Sequence, residues 1–135
     1  MLRYVYNDDT GNLIQVLKLT DRPAGTYSTN KYHYDLAQFP HYITQIDNGL
    51  GFPITRNYYD SVGRLIATVD ANNFTNQFIH NLTNSLELVI DPRGNTSTFA
   101  YDSRGNVTAV PNALNGIRLA SYDGNCITTT NGLGV

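Results

Sequence analysis

The sequence predicts an all-β protein, a meander of short antiparallel strands that forms a twisted strip or partial spiral. Three observations support this fold class. Ten Tyr and five Phe, together with abundant Thr, Asn and Gly, favour strands and turns over helices. Apolar and polar residues alternate over short segments, which is the period of a half-buried strand. Turn-forming sequences separate these segments, and in the C-terminal half they recur every 21 residues.

The first turn of each repeat has an Asp or Asn at its first position and a Gly or Asn three residues later. This pattern occurs at Asp60 with Gly63, Asn81 with Asn84, and Asp102 with Gly105. An Asp or Asn side chain can accept hydrogen bonds from the backbone that follows it, and Gly or Asn tolerates a positive φ. Each quartet therefore predicts a type I turn closed by a left-handed residue, which is a short hairpin connection.

An alternating strand follows each of these turns and places its apolar residues on one face. The members of this face are Leu65, Ala67 and Val69 in one repeat, Leu86, Leu88 and Ile90 in the next, and Val107 and Ala109 in the third. Period two is typical of a strand with one covered face.

Aromatic residues precede the turns, and one of them anchors each repeat. The anchors are Tyr34, Tyr59, His80, Tyr101 and Tyr122, the last four spaced by 21 residues. We expect these rings to pack as a ladder along one face of the sheet. His80 shares the position of Tyr59 and Tyr101, which indicates a packing residue.

A second, wider turn closes each repeat at residues 70–73 (DANN), 91–94 (DPRG) and 111–114 (PNAL). The N-terminal half follows the same order with insertions, including a longer loop that contains residues 39–41 (FPH). With a further anchor at Tyr6, six repeats are predicted. They form a single array over residues 1–135, with no separate domain and no linker.

Two segments carry a resemblance to a known family. Residues 59–66 (YDSVGRLI) and 101–107 (YDSRGNV) resemble the YD repeat of the Rhs family, and the likeness extends over most of the chain. The resemblance implies a long β-sheet that spirals into a hollow shell. Such shells enclose a toxic C-terminal domain in bacterial Rhs and toxin-complex proteins, and related shells support adhesion in teneurins. Family shells use far more than six repeats, so this chain is expected to be part of a shell or to act by assembling.

The two interpretations predict different partners. Residues 131–135 (NGLGV) repeat residues 48–51 (NGLG), which lead into the next repeat in the middle of the chain. If copies stacked head to tail, the spacing from this segment to the next repeat would be nearly preserved. A piece of a longer array would have similar ends. We therefore expect self-association into a fibre through open sheet edges, or further repeats of a larger shell.

Composition and motif spacing do not favour catalysis or nucleic-acid binding. A net charge of -2, from nine basic and eleven acidic residues scattered along the chain, offers no cationic stripe for phosphates. The single Cys126 excludes an internal disulfide and a Cys-based zinc site, and a buried thiol is expected there. His33 and His41 have no partner at metal-site spacing. We therefore predict no enzyme activity and no cofactor.

Three features of the sequence suggest roles other than a purely structural one. Carboxylates recur at Asp35, Asp60, Asp102 and Asp123 and suggest calcium, but turn formation explains the same positions. Tyr rings and Asn amides suit sugars, so an extracellular carbohydrate- or protein-binding module for adhesion is the alternative function. Asn-x-Ser/Thr triplets occur at Asn73, Asn81, Asn95 and Asn106, and an Asn- and Thr-rich composition produces such triplets by itself.

Location is predicted indirectly. No apolar run has the length of a signal peptide core or a membrane span, so membrane insertion is not expected. The resemblance to shell and adhesion proteins implies an extracellular or cell-surface location, with the export signal outside this chain.

Overall fold

The computed structural model describes residues 1–111, 117–123 and 126–132, with the backbone alone for residues 111, 123 and 126–132. The described part of the chain contains strands and turns and no helix, which confirms the predicted all-β class. The chain divides into two compact units, Met1–Thr75 and Asn76–Val135. Each unit is an antiparallel meander in which the order of the strands in the sheet is their order in the sequence.

The first unit contains six strands. They are β1 (Leu2–Tyr6), β2 (Leu13–Asp21), β3 (Thr26–His33), β4 (Gln45–Asp47), β5 (Pro53–Tyr59) and β6 (Leu65–Asp70). Each strand pairs with the next in antiparallel register. The connection between β3 and β4, residues 34–44, is longer than the others and is called the inserted loop below.

The second unit has the same plan. Its strands are β7 (Thr75–Asn81), β8 (Leu86–Ile90), β9 (Thr96–Tyr101), β10 (Val107–Pro111), β11 (Ile117–Asp123) and β12 (Cys126–Gly132). Consecutive strands pair antiparallel from β7 to β12. The predicted meander of hairpins is therefore confirmed in both units.

Neither unit has a hydrophobic core among its described residues. No apolar side chain there is buried, and the one buried residue is the polar Asp47, at 8% exposure. A sheet normally buries one face against another layer of structure. Here the strands are held by ladder hydrogen bonds, by half-buried side chains and by the turns, so each turn matters more than it would in a protein with a large core.

Short irregularities in strand register accompany several of the turns. The pairing shifts by one residue between Tyr58 and Tyr59 beside one turn, and between Val107 and Ala109 beside another. An extra residue on one strand is the β-bulge that accompanies a type I turn followed by a left-handed residue. The local backbone therefore has the form that the Asp-x-x-Gly pattern predicts.

Candidate functional site

The turn at Asp60 shows how the repeat motif works. The N–H of Asp60 donates to the carbonyl of Arg64 at 2.9 Å, and the N–H of Gly63 donates to the carbonyl of Asp60 at 3.1 Å. The Asp60 Oδ1 accepts from the N–H groups of Val62 at 3.0 Å and Arg64 at 2.9 Å. Gly63 has φ 84, where an L side chain is strained. The carboxylate thus accepts hydrogen bonds from backbone N–H groups of the turn, which have no neighbouring strand to accept them.

Four further turns repeat this geometry. Their first residues are Asn48, Asp70, Asp91 and Asp102, and each side-chain Oδ1 accepts from the N–H groups two and four residues later. Their left-handed residues are Gly51, Asn73, Gly94 and Gly105. The second turn of the repeat is therefore not the wider connection that the sequence suggested. It has the same geometry as the first turn, because its hydrogen bonds require only one Asp or Asn side chain and one residue with a positive φ.

The turn after β7 departs from the sequence prediction. Asn81 lies in the strand and pairs directly with Leu86, so residues 82–85 form the loop. The left-handed residue is Ser85, with φ 52, rather than Asn84. The N–H of Asn84 donates to Asn81 Oδ1 at 3.2 Å. No register shift accompanies this hairpin, and the direct pairing moves the positive φ one residue later than in the other turns.

The second oxygen of three turn carboxylates binds the side chain four residues later. Arg64 Nε donates to Asp60 Oδ2 at 2.7 Å, and the amides of Asn95 and Asn106 donate to Asp91 and Asp102 at 2.7 Å and 2.9 Å. The backbone N–H of Arg64 is the main cause of the lowered pKa of Asp60. The side-chain amides of Asn95 and Asn106 are the main causes at Asp91 and Asp102, whose pKa values are also lowered.

Three of the predicted aromatic anchors use their hydroxyl groups to bind an earlier segment of the chain. The O–H of Tyr34 donates to the carbonyl of Leu13 at 2.9 Å, that of Tyr59 to Ile43 at 3.0 Å, and that of Tyr122 to Val107 at 2.8 Å. One strand lies between successive anchors within a unit, which separates them by about 10 Å, too far for rings to stack directly. These hydrogen bonds, rather than stacking of one anchor on the next, join the anchors to earlier segments of the chain.

Removal of one hydroxyl tests this role. Tyr122→Phe is expected to lower the free energy of unfolding by about 1 kcal/mol, because the Val107 carbonyl loses its side-chain donor. Tyr101→Phe is the matched control, since the Tyr101 hydroxyl has no hydrogen-bond partner among the described residues. Urea unfolding followed by circular dichroism measures both. Equal effects of the two substitutions would contradict the assignment.

The inserted loop packs against two turns of the first unit. The Asn12 Nδ2 donates to the Pro40 carbonyl at 2.6 Å, and Asn12 Oδ1 lies 2.7 Å from His41 Nδ1. The Tyr42 ring stacks on Phe39 with centroids 5.0 Å apart and contacts Tyr59 at 5.1 Å. The loop thus links the first turn of the chain to the turn at Asp60.

A cavity of about 350 Å³ lies between the inserted loop and the first turn. Most of its polar lining is already hydrogen-bonded within the protein. The Asn7 Oδ1 accepts from the Asp9 N–H and from both the N–H and the hydroxyl of Thr10. The Asn12 amide binds the inserted loop, and the Tyr34 hydroxyl binds Leu13. This arrangement serves the fold, and it leaves few free groups converging on a sugar.

Two histidines pair with carboxylates across neighbouring strands, and these contacts are absent from the sequence prediction. His33 Nε2 lies 2.8 Å from Asp47 Oδ2, whose other oxygen accepts from Gln45 at 2.8 Å. Burial alone would raise the pKa of Asp47, but the hydrogen bonds from His33 and Gln45 lower it.

The second pair joins β7 and β8, where His80 Nδ1 lies 2.6 Å from Glu87 Oε2. The two residues are directly opposite in the hairpin. His80, predicted as a packing residue, therefore also has a polar partner. Counting outward from the loop of residues 82–85 would have brought these two residues together.

The candidate metal ligands do not form a cluster in the described part of the chain. No group of three or more His, Cys, Asp or Glu that could hold a metal ion occurs there. Asp35 lies in the inserted loop, where it accepts a hydrogen bond from the Thr44 hydroxyl at 2.8 Å. It is therefore not one of the turn carboxylates. Three parts of the prediction lie outside the described residues, namely the side chains of Asp123 and Cys126, residues 112–114 of the predicted turn, and the segment 133–135.

The described residues form no helix of the length and hydropathy needed to cross a bilayer. Comparison with known proteins adds no identification. No protein-family model matches the chain, and no curated protein matches it.

Proposed function

We propose that this chain is a structural YD-type repeat protein that extends a β-sheet through its open edges, either as part of a shell wall or as a head-to-tail fibre. The observation that supports the proposal is the character of β1. This strand pairs with β2 on one side and lies at the end of the strand order. An extracellular or cell-surface location belongs to the same proposal.

The hydrogen-bonding pattern defines which groups of β1 point outward. The N–H of Leu19 donates to the carbonyl of Met1 at 3.0 Å, and Arg3 and Val5 follow Met1 at intervals of two. In an antiparallel ladder the hydrogen-bonded pairs alternate with non-bonded pairs. The N–H and C=O groups of Leu2 and Tyr4 therefore point away from β2 and are open to another strand.

The side chains of β1 do little to block such pairing. Leu2 and Tyr4 are more than half exposed, at 55% and 52%. Natural sheets usually protect an edge with proline, several charges or a covering element. The strand has no proline and a single charge, on Arg3. An exposed apolar edge of this kind favours the addition of a strand, and β12 at the other end of the strand order is the natural partner in a neighbouring copy or repeat.

Proline substitution at β1 tests the proposal. Tyr4→Pro removes an outward N–H and keeps the ladder to β2, since proline is tolerated on the solvent side of an edge strand. We expect this variant to fold and to form no elongated assemblies at concentrations at which the wild-type chain forms them. Val5→Pro should instead weaken β1 itself, because its N–H faces Gln15.

Light scattering measures association and circular dichroism measures folding in these variants. Tyr4→Thr is the matched control, because it removes the ring and keeps the N–H, and it should still associate. Assembly of Tyr4→Pro to the same extent as the wild-type chain would overturn the proposal.

A further inference from the structure

One face of the second unit is apolar and carries no charge among its described side chains. Register places four residues opposite one another across four strands, namely Leu86, Ala100, Ala109 and Leu119, and the polar Asn81 of β7 borders this row beyond Leu86. Beside this row lie Ile79, Leu88 and Thr98, then Gln77, Ile90 and Thr96, with Ile117 on β11. These eleven residues are called the apolar face below.

The face is open to solvent. Ile79, Ile117 and Leu119 are 46%, 53% and 50% exposed. The charged side chains that the structure describes on these strands lie on the opposite face, where His80 pairs with Glu87 and Arg118 alternates with Ile117 and Leu119. The opposite face also carries apolar side chains, among them Phe78, Val89 and Phe99. The apolar face is therefore the one that another layer can cover without desolvating a described charge.

The shape of the apolar face has a ridge beside a groove. Large residues project from β8, while small residues, Thr98, Ala100 and Ala109, occupy β9 and β10. The groove over the small residues has a volume of about 300 Å³ and is bordered by Ile117. It is two strands wide, or about 10 Å.

We propose that the apolar face packs against the same face of a second copy of this chain, related by a two-fold axis. A contact between identical faces must be complementary to itself. The ridge formed by Leu86, Leu88 and Ile90 of each copy would enter the groove over Ala100 and Ala109 of the other. Neither copy has to desolvate a described charge, and the result is two sheets about 10 Å apart, as in a β-sandwich.

The size of the face sets the expected strength of the contact. It spans five strands and about five residues, roughly 24 Å by 17 Å. An area of about 400 Å² is the size of the largest exposed apolar patch on a typical soluble monomer, which is often functional. A two-fold contact would bury about 800 Å² in total, below the roughly 1,000 Å² of stable interfaces, so we expect a weak and transient dimer. This contact uses a face, and it is independent of the edge pairing proposed for β1.

The test uses the Tyr4→Pro chain, in which edge pairing is blocked, and sedimentation equilibrium. A monomer-dimer equilibrium is expected. Adding Leu119→Arg should weaken the dimer at least tenfold, because the charge would be buried against an apolar surface. Adding Ala120→Arg, which places the same charge on the opposite face of the same strand, should leave the dimer unchanged.

Circular dichroism establishes that each variant is folded, and Thr98→Lys in the groove replaces Leu119→Arg if the latter is not. A Tyr4→Pro chain that stays monomeric at all concentrations overturns the proposal. So does a dimer that Leu119→Arg and Thr98→Lys leave intact. If the monomer binds the apolar dye ANS and Leu119→Arg abolishes this binding, the face serves a different partner and the two-fold contact is again refuted.

Discussion

Gly63→Ala is expected to destabilise the protein more than Gly105→Ala, although both glycines close the same turn. The two have φ values of 84 and 83, so a Cβ at either position costs about 1 to 2 kcal/mol from the left-handed backbone alone. The surroundings differ. A Cβ on Gly63 would lie 3.0 Å from the ring of Phe39 and 3.1 Å from that of Tyr42, while a Cβ on Gly105 would meet nothing within 4 Å.

The added contact is overpacking, which typically costs a further 1 to 3 kcal/mol when the neighbours cannot move freely. Phe39 and Tyr42 stack on each other, and Tyr42 contacts Tyr59, so their displacement would disturb the inserted loop. Urea unfolding of both variants gives the difference. Phe39→Ala should reduce the excess cost of Gly63→Ala by removing one of the two contacts. Equal costs for the two glycine variants would show that the loop does not restrain this turn.

Acid should destabilise the protein through the turn carboxylates, and replacing them with amides should reduce this sensitivity. The pKa values of Asp60, Asp91 and Asp102 are lowered in the folded chain. A lowered pKa contributes stability that is present above the unfolded value of about 3.9 and is lost as the pH falls through the folded value. The wild-type chain should therefore lose stability progressively below about pH 4.

The triple variant Asp60→Asn, Asp91→Asn, Asp102→Asn should show a flatter dependence on pH. An amide oxygen can still accept from the turn N–H groups, as Asn48 does in its own turn. Asp8→Asn with Asp9→Asn is the control for lost charge, since it removes two carboxylates that accept no turn hydrogen bond among the described residues. Thermal unfolding between pH 7 and pH 3 measures the effect. A triple variant with the same acid dependence as the wild-type chain would contradict the role of these groups.

A structural feature could be predicted from the sequence when its hydrogen bonds join residues that are close together in the chain. The turns at Asp60 and Asp102 were predictable because their bonds join residues within five positions of each other. The same pattern was present at Asp70 and Asp91, but the assumption of a two-part repeat hid it. At Ser85 the prediction failed because strand pairing shifted the turn by one residue, and pairing is not a local property.

Long-range contacts were the least predictable part of the site. The packing of Phe39 against Gly63 joins residues 24 positions apart, and periodicity carries no information about an insertion. The hydrogen bond from Tyr34 to Leu13 joins residues 21 positions apart. Periodicity placed Tyr34 as an aromatic anchor and suggested a ring contact, whereas its hydroxyl binds a backbone carbonyl. The His33 and Asp47 pair also depends on strand register.

Negative-stain microscopy with size-exclusion chromatography over a range of concentrations tests most directly whether this chain extends a sheet by its edges. The wild-type chain should form elongated assemblies that grow with concentration, and Tyr4→Pro should remove them and leave particles no larger than the face-to-face dimer. A wild-type chain that elutes as a sharp monomer at every concentration, with no elongated particles, would contradict the account.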